Sequence, residues 1–198
     1  MFAIYFVCTG NRCRSPAAAA VMGRVTEGIG VTVGSAGLLE LAGERPPSET
    51  VAAARGLGFD LRGHRSVPLS GVDLSGADLV LGFERRHVAG AVVDGGAAHD
   101  RTFNLIELSS LLRDTASPSP PASDPIDLAR LRVGAAHRAR VETARFVPGE
   151  EVSDPMGRAL PAHIDMVERV RKLCTVVAAE LFGADAIHPS ATRAGPDR

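Results

Sequence analysis

Tryptophan is missing from this 198-residue chain, tyrosine occurs once and cysteine three times. Cys8, Cys13 and Cys174 are too few for the disulfide framework of a small secreted domain, so a reducing, cytoplasmic setting is expected. No apolar run approaches the roughly 20 residues that a membrane span needs. Met1-Phe2-Ala3 lacks the basic region of a signal peptide, so the apolar run it begins is expected to be structure rather than address. Charge excess is missing as well. With 22 Lys+Arg against 23 Asp+Glu, the formal net charge is -1, which offers no bulk field for nucleic acid or a membrane surface. What remains, 45% apolar residues in a chain of this length, describes one globular domain able to bury a core, with room for extra segments.

What is present begins almost at once. Phe2-Ala3-Ile4-Tyr5-Phe6-Val7 is the short, nearly all-apolar run expected of a strand buried on both faces. Cys8-Thr9-Gly10-Asn11-Arg12-Cys13-Arg14-Ser15-Pro16 follows, and four alanines after Pro16 read as a helix with proline in its first turn. Strand, tight loop and helix start in that order aim loop amides and the positive end of a helix at one point, where an anion can sit. The segment from Thr9 through Gly10, Asn11, Arg12, Cys13 and Arg14 to Ser15 is therefore the candidate phosphate-binding loop.

Each residue type suits that chemistry. A thiolate attacks phosphorus well, and converging amides, a helix N-terminus and Arg14 would all favour Cys8 as thiolate over thiol. Arg14 carries a planar fork that grips two phosphoryl oxygens at once, where lysine supplies a point charge. Ser15 can donate to the sulfur and help it leave when a phosphocysteine breaks down. Gly10 lets the backbone turn without a side chain before the oxygens, and Asn11 tolerates a left-handed conformation. Taken alone, a cysteine is more often a small buried hydrophobe, and an arginine six places on is unremarkable. The strand before, the Gly-Asn within and the Ser-Pro after make the difference.

Further along, Val31–Ser35, Ala77–Phe83 and Thr102–Leu105 are strand candidates. Helices are expected at Ser15–Glu27, from Pro46 through Ala54, from Glu84, over Ile106–Leu112, from Ile126 to about Thr143, and over Pro161–Leu181. This alternation predicts a single doubly wound α/β domain, a four-stranded parallel sheet flanked by helices, with the phosphate loop after its first strand. Glu84, Arg85, Arg86 and His87 are expected on a solvated helix face, and Leu38–Arg45 in a loop that walls the cleft. Cys174 lies on the apolar pattern of the last helix. The domain is expected over 1–183. Within it, 113–150 forms an insertion made of a Pro/Ser linker and a basic helix, either a solvated cover or a lid or docking surface for an acidic partner, and 184–198 a flexible tail.

The loop Cys8–Pro16 resembles the signature of low-molecular-weight protein tyrosine phosphatases of bacterial type. The resemblance implies a phosphocysteine mechanism with no metal and no cofactor, and an aspartate general acid in a late Asp-Pro pair. Two pairs qualify. Asp124-Pro125 is well explained as the cap of the helix it opens. Asp154-Pro155 stands before the long last helix, where the family keeps its acid, and is the favoured choice. The resemblance also implies that Ser35 and His64 brace the loop, and that Cys13 protects Cys8 through a reversible disulfide. Two positions depart from the pattern. Met156 replaces the aromatic residue that usually follows Asp-Pro, and Arg12 stands where tyrosine phosphatases carry an aliphatic residue and phosphoarginine-specific relatives a threonine.

The expected activity is hydrolysis of phosphate monoesters, on a phosphotyrosine protein substrate first, with no nucleic-acid or membrane partner. The alternatives are phosphoarginine hydrolysis, arsenate reduction on the same loop, and a non-catalytic phosphate-binding regulatory module. Arsenate reduction would need a further cysteine able to carry a disulfide outward.

Overall fold

The computed structural model of the chain describes residues 1–115, 124–143 and 151–188. Four strands, Phe2–Cys8 (β1), Val31–Gly37 (β2), Leu79–Gly82 (β3) and Thr102–Asn104 (β4), form one parallel sheet in the order β2-β1-β3-β4. Among the described residues the helices are Arg14–Val25 (α1), Ser48–Gly56 (α2), Arg85–Val93 (α3), Leu105–Asp114 (α4), Pro125–Thr143 (α5) and Leu160–Phe182 (α6). None is long and apolar enough to cross a membrane. The doubly wound expectation is met.

β1 is apolar on both sides because it packs on both. Phe2, Ile4, Phe6 and Cys8 join the larger core with Ala17, Val21 and Met22 of α1 and Val167, Val170 and Val177 of α6. Val7 faces a smaller core with Leu69, Leu74, Val80 and Ala91. Each fully buried phenylalanine contributes about 2–3 kcal/mol of transfer free energy, which explains the strand's central place. The strand order changes direction at β1: the chain goes first to β2 on one side, then to β3 on the other. A ligand crevice forms beyond the carboxyl ends of the strands at such a point. Register brings those ends level, Cys8 opposite Gly37 and Val7 opposite Gly82.

Two glycines allow the close approaches at this edge. A Cβ on Gly37 would lie 2.7 Å from Asn11 N and 2.8 Å from Gly10 C, so the loop backbone rests directly on the end of β2. A Cβ on Gly82 would lie 2.9 Å from His87 Cβ, so the head of α3 rests on the end of β3.

α5 sits at the other end of the sheet. Arg130 reaches Asp78 Oδ1 (3.2 Å) and the Met1 carbonyl (2.9 Å), and Arg140 reaches the Thr102 carbonyl (2.7 Å) while stacking on Phe103. These are the amino ends of β1, β3 and β4, remote from the loop, so α5 is a packed cover and not a lid. Arg130, Arg132 and Arg140 hold it there by hydrogen bonds to backbone carbonyls of the body. Part of the 113–150 insertion lies outside the described residues. The expected tail also needs correction: Ile187 is buried in the larger core and His188 N donates to the Val25 carbonyl (2.9 Å). The packed body thus reaches His188, because the chain leaving α6 passes over the end of α1; residues 189–198 lie outside the described residues.

Candidate active site

The loop between β1 and α1 closes around Cys8, a residue only 2% exposed. Asn11 N donates to Cys8 Sγ at 3.2 Å, and Ser15 Oγ lies 3.0 Å from it. Asn11 Nδ2 donates to Ser15 Oγ at 2.9 Å, which leaves the serine proton for the sulfur or for the Ala36 carbonyl 3.4 Å away. The nucleophile candidate therefore receives one backbone donor and has the serine hydroxyl within hydrogen-bond reach.

Asn11 holds this geometry. It is fully buried with φ +50°, the only non-glycine residue with positive φ among the described residues. Its two amide hydrogens go to Ser15 Oγ and Ser35 Oγ (2.8 Å), and its Oδ1 accepts from Val67 N (2.9 Å). Its carbonyl accepts from His64 Nε2 at 2.7 Å, a nitrogen that must carry the hydrogen because a carbonyl only accepts. Burial pushes the His64 pKa down, against the opposing effect of that hydrogen bond, and the Arg65 charge adds to the lowering. Ser35 and His64 thus both reach the loop through one residue. The turn itself belongs to Asn11, since Gly10 does not adopt positive φ and a Cβ there would make ordinary contact with Leu41. Asn11→Ala leaves two hydroxyls and an amide with lost partners, and is expected to cost about 2–4 kcal/mol of stability by thermal or chemical unfolding.

Arg14 lies 1% exposed over the Phe83 ring. Its NH1 donates to Glu84 Oε1 and to the Val152 carbonyl (3.2 Å), and its NH2 to Thr9 Oγ1 (3.1 Å) and Asp154 Oδ2 (2.6 Å). Its Nε is buried with no partner among the described residues. Asp154 is held in turn by Met156 N, which donates to Oδ1 at 3.1 Å. Asp124, the other candidate acid, caps α5 instead, its Oδ1 accepting from Ile126 N (2.7 Å) and Asp127 N (3.2 Å). The fold brings together Cys8, Arg14 and Asp154 and leaves Asp124 elsewhere.

Sequence reasoning missed Glu84 and misplaced His87. Burial opposes the charged form of Glu84, but hydrogen bonds from Arg14 and Arg86 outweigh it and hold the carboxyl below its ordinary range. His87, expected in solvent, is fully buried. Its Nδ1 accepts from Phe83 N (3.3 Å) and its Nε2 lies 3.0 Å from Thr9 Oγ1. Burial, then the Arg14 charge, push its pKa down to about 4. The available signal was position: Glu84-x-x-His87 immediately follows an apolar parallel strand, at the edge where ligands bind.

Cys13 is buried and hydrogen-bonded to Thr50, and burial pushes its thiol up to about 11. Thr50 continues to His163 Nδ1 at 2.8 Å, tying α1 through α2 to α6. Arg12 lies at the rim, its Nε donating to the Arg45 carbonyl at 2.8 Å. Met156 is 44% exposed beside Asp154. Cys174 is fully buried in α6, and burial raises its pKa strongly.

A parallel α/β sheet with an anion-shaped loop at its switch point, a cysteine on the loop's floor and a buried arginine beside it defines the architecture of a cysteine-dependent phosphatase. The family model described as "Low molecular weight phosphotyrosine protein phosphatase" matches residues 3–124, and the chain belongs to that family, whose members are cysteine-dependent, metal-independent enzymes acting on phosphoproteins. It is 36% identical over 106 residues to the protein-arginine-phosphatase of Bacillus subtilis (strain 168), a match covering 52% of this chain and 70% of that one. It is 39% identical over 88 residues to the low molecular weight protein-tyrosine-phosphatase Wzb of Salmonella typhi, covering 43% of this chain and 56% of the relative. The fold is also that of a solved low molecular weight protein tyrosine phosphatase from T. tengcongensis, with TM-score 0.62, 24% identity, and 89% and 97% of the two chains covered. The family match stops before Asp154.

Proposed function

We propose that the chain hydrolyses phosphate monoesters on protein tyrosine through a phosphocysteine, with Cys8 as nucleophile, Arg14 as phosphoryl clamp and Asp154 as general acid and base. The observation that carries this is the meeting of Arg14 with Asp154 Oδ2 at 2.6 Å across 140 residues of chain, beside a Cys8 sulfur that receives Asn11 N at 3.2 Å. Nucleophile, clamp and acid share one cup.

Cys8 Sγ attacks phosphorus opposite the leaving oxygen. The loop amides and the Arg14 fork, including its unpaired buried Nε, take the phosphoryl oxygens. Those oxygens take over the Arg14 N–H that Asp154 accepts in the free enzyme; the released carboxylate takes up a proton from solvent and passes it to the leaving phenolate oxygen as the P–O bond breaks. Water then attacks the phosphocysteine, Asp154 accepts its proton, and the sulfur departs as a thiolate stabilised by Ser15 and Asn11 N. On the same proposal Ser35 and His64 brace the loop through Asn11. Cys13 supplies the protective partner of Cys8; bonded to Thr50 and held protonated, it is a slow attacking group at neutral pH. The proposed domain runs from residue 1 through the packed end of the chain after α6.

Arg12 supports tyrosine over arginine. A guanidinium tethered at the rim repels the guanidinium of phosphoarginine and attracts an acidic phosphopeptide. Arsenate reduction is disfavoured by Cys174, fully buried with its thiol held protonated and so unable to relay a disulfide outward. The test is turnover on matched phosphotyrosine, phosphoserine and phosphoarginine peptides. The expected result is phosphotyrosine first, with kcat/KM at least tenfold above the others; phosphoarginine first would overturn the substrate assignment, and no turnover on any would leave a binding module.

A further inference from the structure

Thr9 Oγ1 is surrounded by three nitrogens: His87 Nε2 at 3.0 Å, Arg14 NH2 at 3.1 Å and Arg86 NH2 at 3.2 Å. Guanidinium nitrogens only donate. The direction of the His87 bond follows from the other side of its ring. Nδ1 accepts from Phe83 N at 3.3 Å, so in the neutral imidazole the hydrogen is on Nε2, and it is donated to Thr9. All three neighbours are donors. A hydroxyl has two lone pairs and one proton, and none of the three can take that proton.

We propose that the Thr9 hydroxyl is a substrate-contacting donor to the phosphoryl group, and that His87 is the positioning residue that aims it by occupying its lone pair. The proposal rests on reading the loop as a phosphoryl site. A phosphoryl oxygen beside Arg14 is the acceptor that the surroundings of Thr9, among the described residues, do not provide. Arg14 NH2 also holds Asp154 Oδ2, so the threonine proton is delivered on the side of the cup from which the leaving oxygen departs.

The rest of the surroundings is built to keep His87 in this role. The ring is fully buried, edge-on to Phe83, with its Cβ close over the bare Gly82. Burial above all, then the Arg14 and Arg86 charges, disfavours a second proton on the ring, while Glu84 and Asp154 favour it. A protonated ring would turn its Nδ1 from acceptor to donor and set it against the Phe83 amide.

The decisive experiment is a double-mutant cycle in the full chain, read by kcat/KM on a phenyl phosphate and by the affinity for inorganic phosphate. Thr9→Val is expected to lower kcat/KM about tenfold and weaken phosphate binding by a similar factor, with Thr9→Ser restoring both to within about twofold. His87→Phe is expected to cost about as much as Thr9→Val in the parent and almost nothing further in the Thr9→Val background. His87→Gln, whose amide places a donor near Nε2, is expected to recover most of the loss. Equal losses from His87→Phe in both backgrounds, or full activity and phosphate affinity in Thr9→Val, would overturn the proposal. If His87→Phe does not fold by thermal melt, the threonine pair and His87→Gln decide the matter alone. Phosphate affinity is read without turnover, so a failure of the hydrolase assignment shows as intact phosphate binding with no reaction, distinct from a failure here.

Discussion

Cys8→Ser is expected to bring hydrolysis of phenyl phosphates to background, a loss on the order of 10⁴-fold or more, with the melting temperature nearly unchanged. The size follows from what surrounds the sulfur. Asn11 N donates to Sγ and the Ser15 hydroxyl lies 3.0 Å from it, so the atom that attacks phosphorus sits where its own loop can hold it. A serine hydroxyl in the same place stays protonated at neutral pH and finds no base beside it, because its neighbours are donors. The small change in volume and the intact partners keep the loop folded. Initial rates at high enzyme concentration together with a thermal melt check both halves. Residual hydrolysis within a hundredfold of the parent would remove the phosphocysteine from the mechanism.

The second large effect is expected from Asp154→Ala: a fall in kcat of about 10²–10⁴ on phenyl phosphate, and a clearly smaller one on a nitrophenyl ester whose leaving group needs little protonation. Asp124→Ala is the built-in control. That carboxylate accepts from the Ile126 and Asp127 amides at the start of α5, at the end of the sheet away from the loop. Its removal is expected to cost about 1 kcal/mol of stability and leave the rate alone. The reverse pattern, with Asp124 controlling the rate, would transfer the acid to the other Asp-Pro pair. Leaving-group dependence separates loss of a proton donor from a general disturbance of Arg14, which would slow both esters alike.

Much of this was legible because it is local. Phe2–Cys8 reads as a buried strand from composition, and the Cys8–Ser15 spacing closes a loop whose key bonds, Asn11 N to Cys8 and Asn11 Nδ2 to Ser15, join residues three and four apart. Asn11 is foreseeable in the left-handed region because its side chain tolerates it. His87 was misread for the opposite reason. Glu84-Arg85-Arg86-His87 looks like a polar helix start, and nothing within the helix shows that Gly82 lets α3 settle on the sheet with the histidine turned inward. The tail after Gly183 was misread in the same way: Ile187 is short of any local pattern and is buried only because the end of α6 meets the end of α1.

The sequence by itself determined the loop, with its candidate nucleophile and clamp, and the parallel α/β class, since each depends on residues within one strand-turn-helix unit or on the alternation of such units. Only the tertiary structure decided which carboxylates meet Arg14 and what holds Thr9. Glu84, His87 and Asp154 approach the loop from 70, 78 and 140 residues away from their partners, and strand order and register, not local spacing, set those meetings.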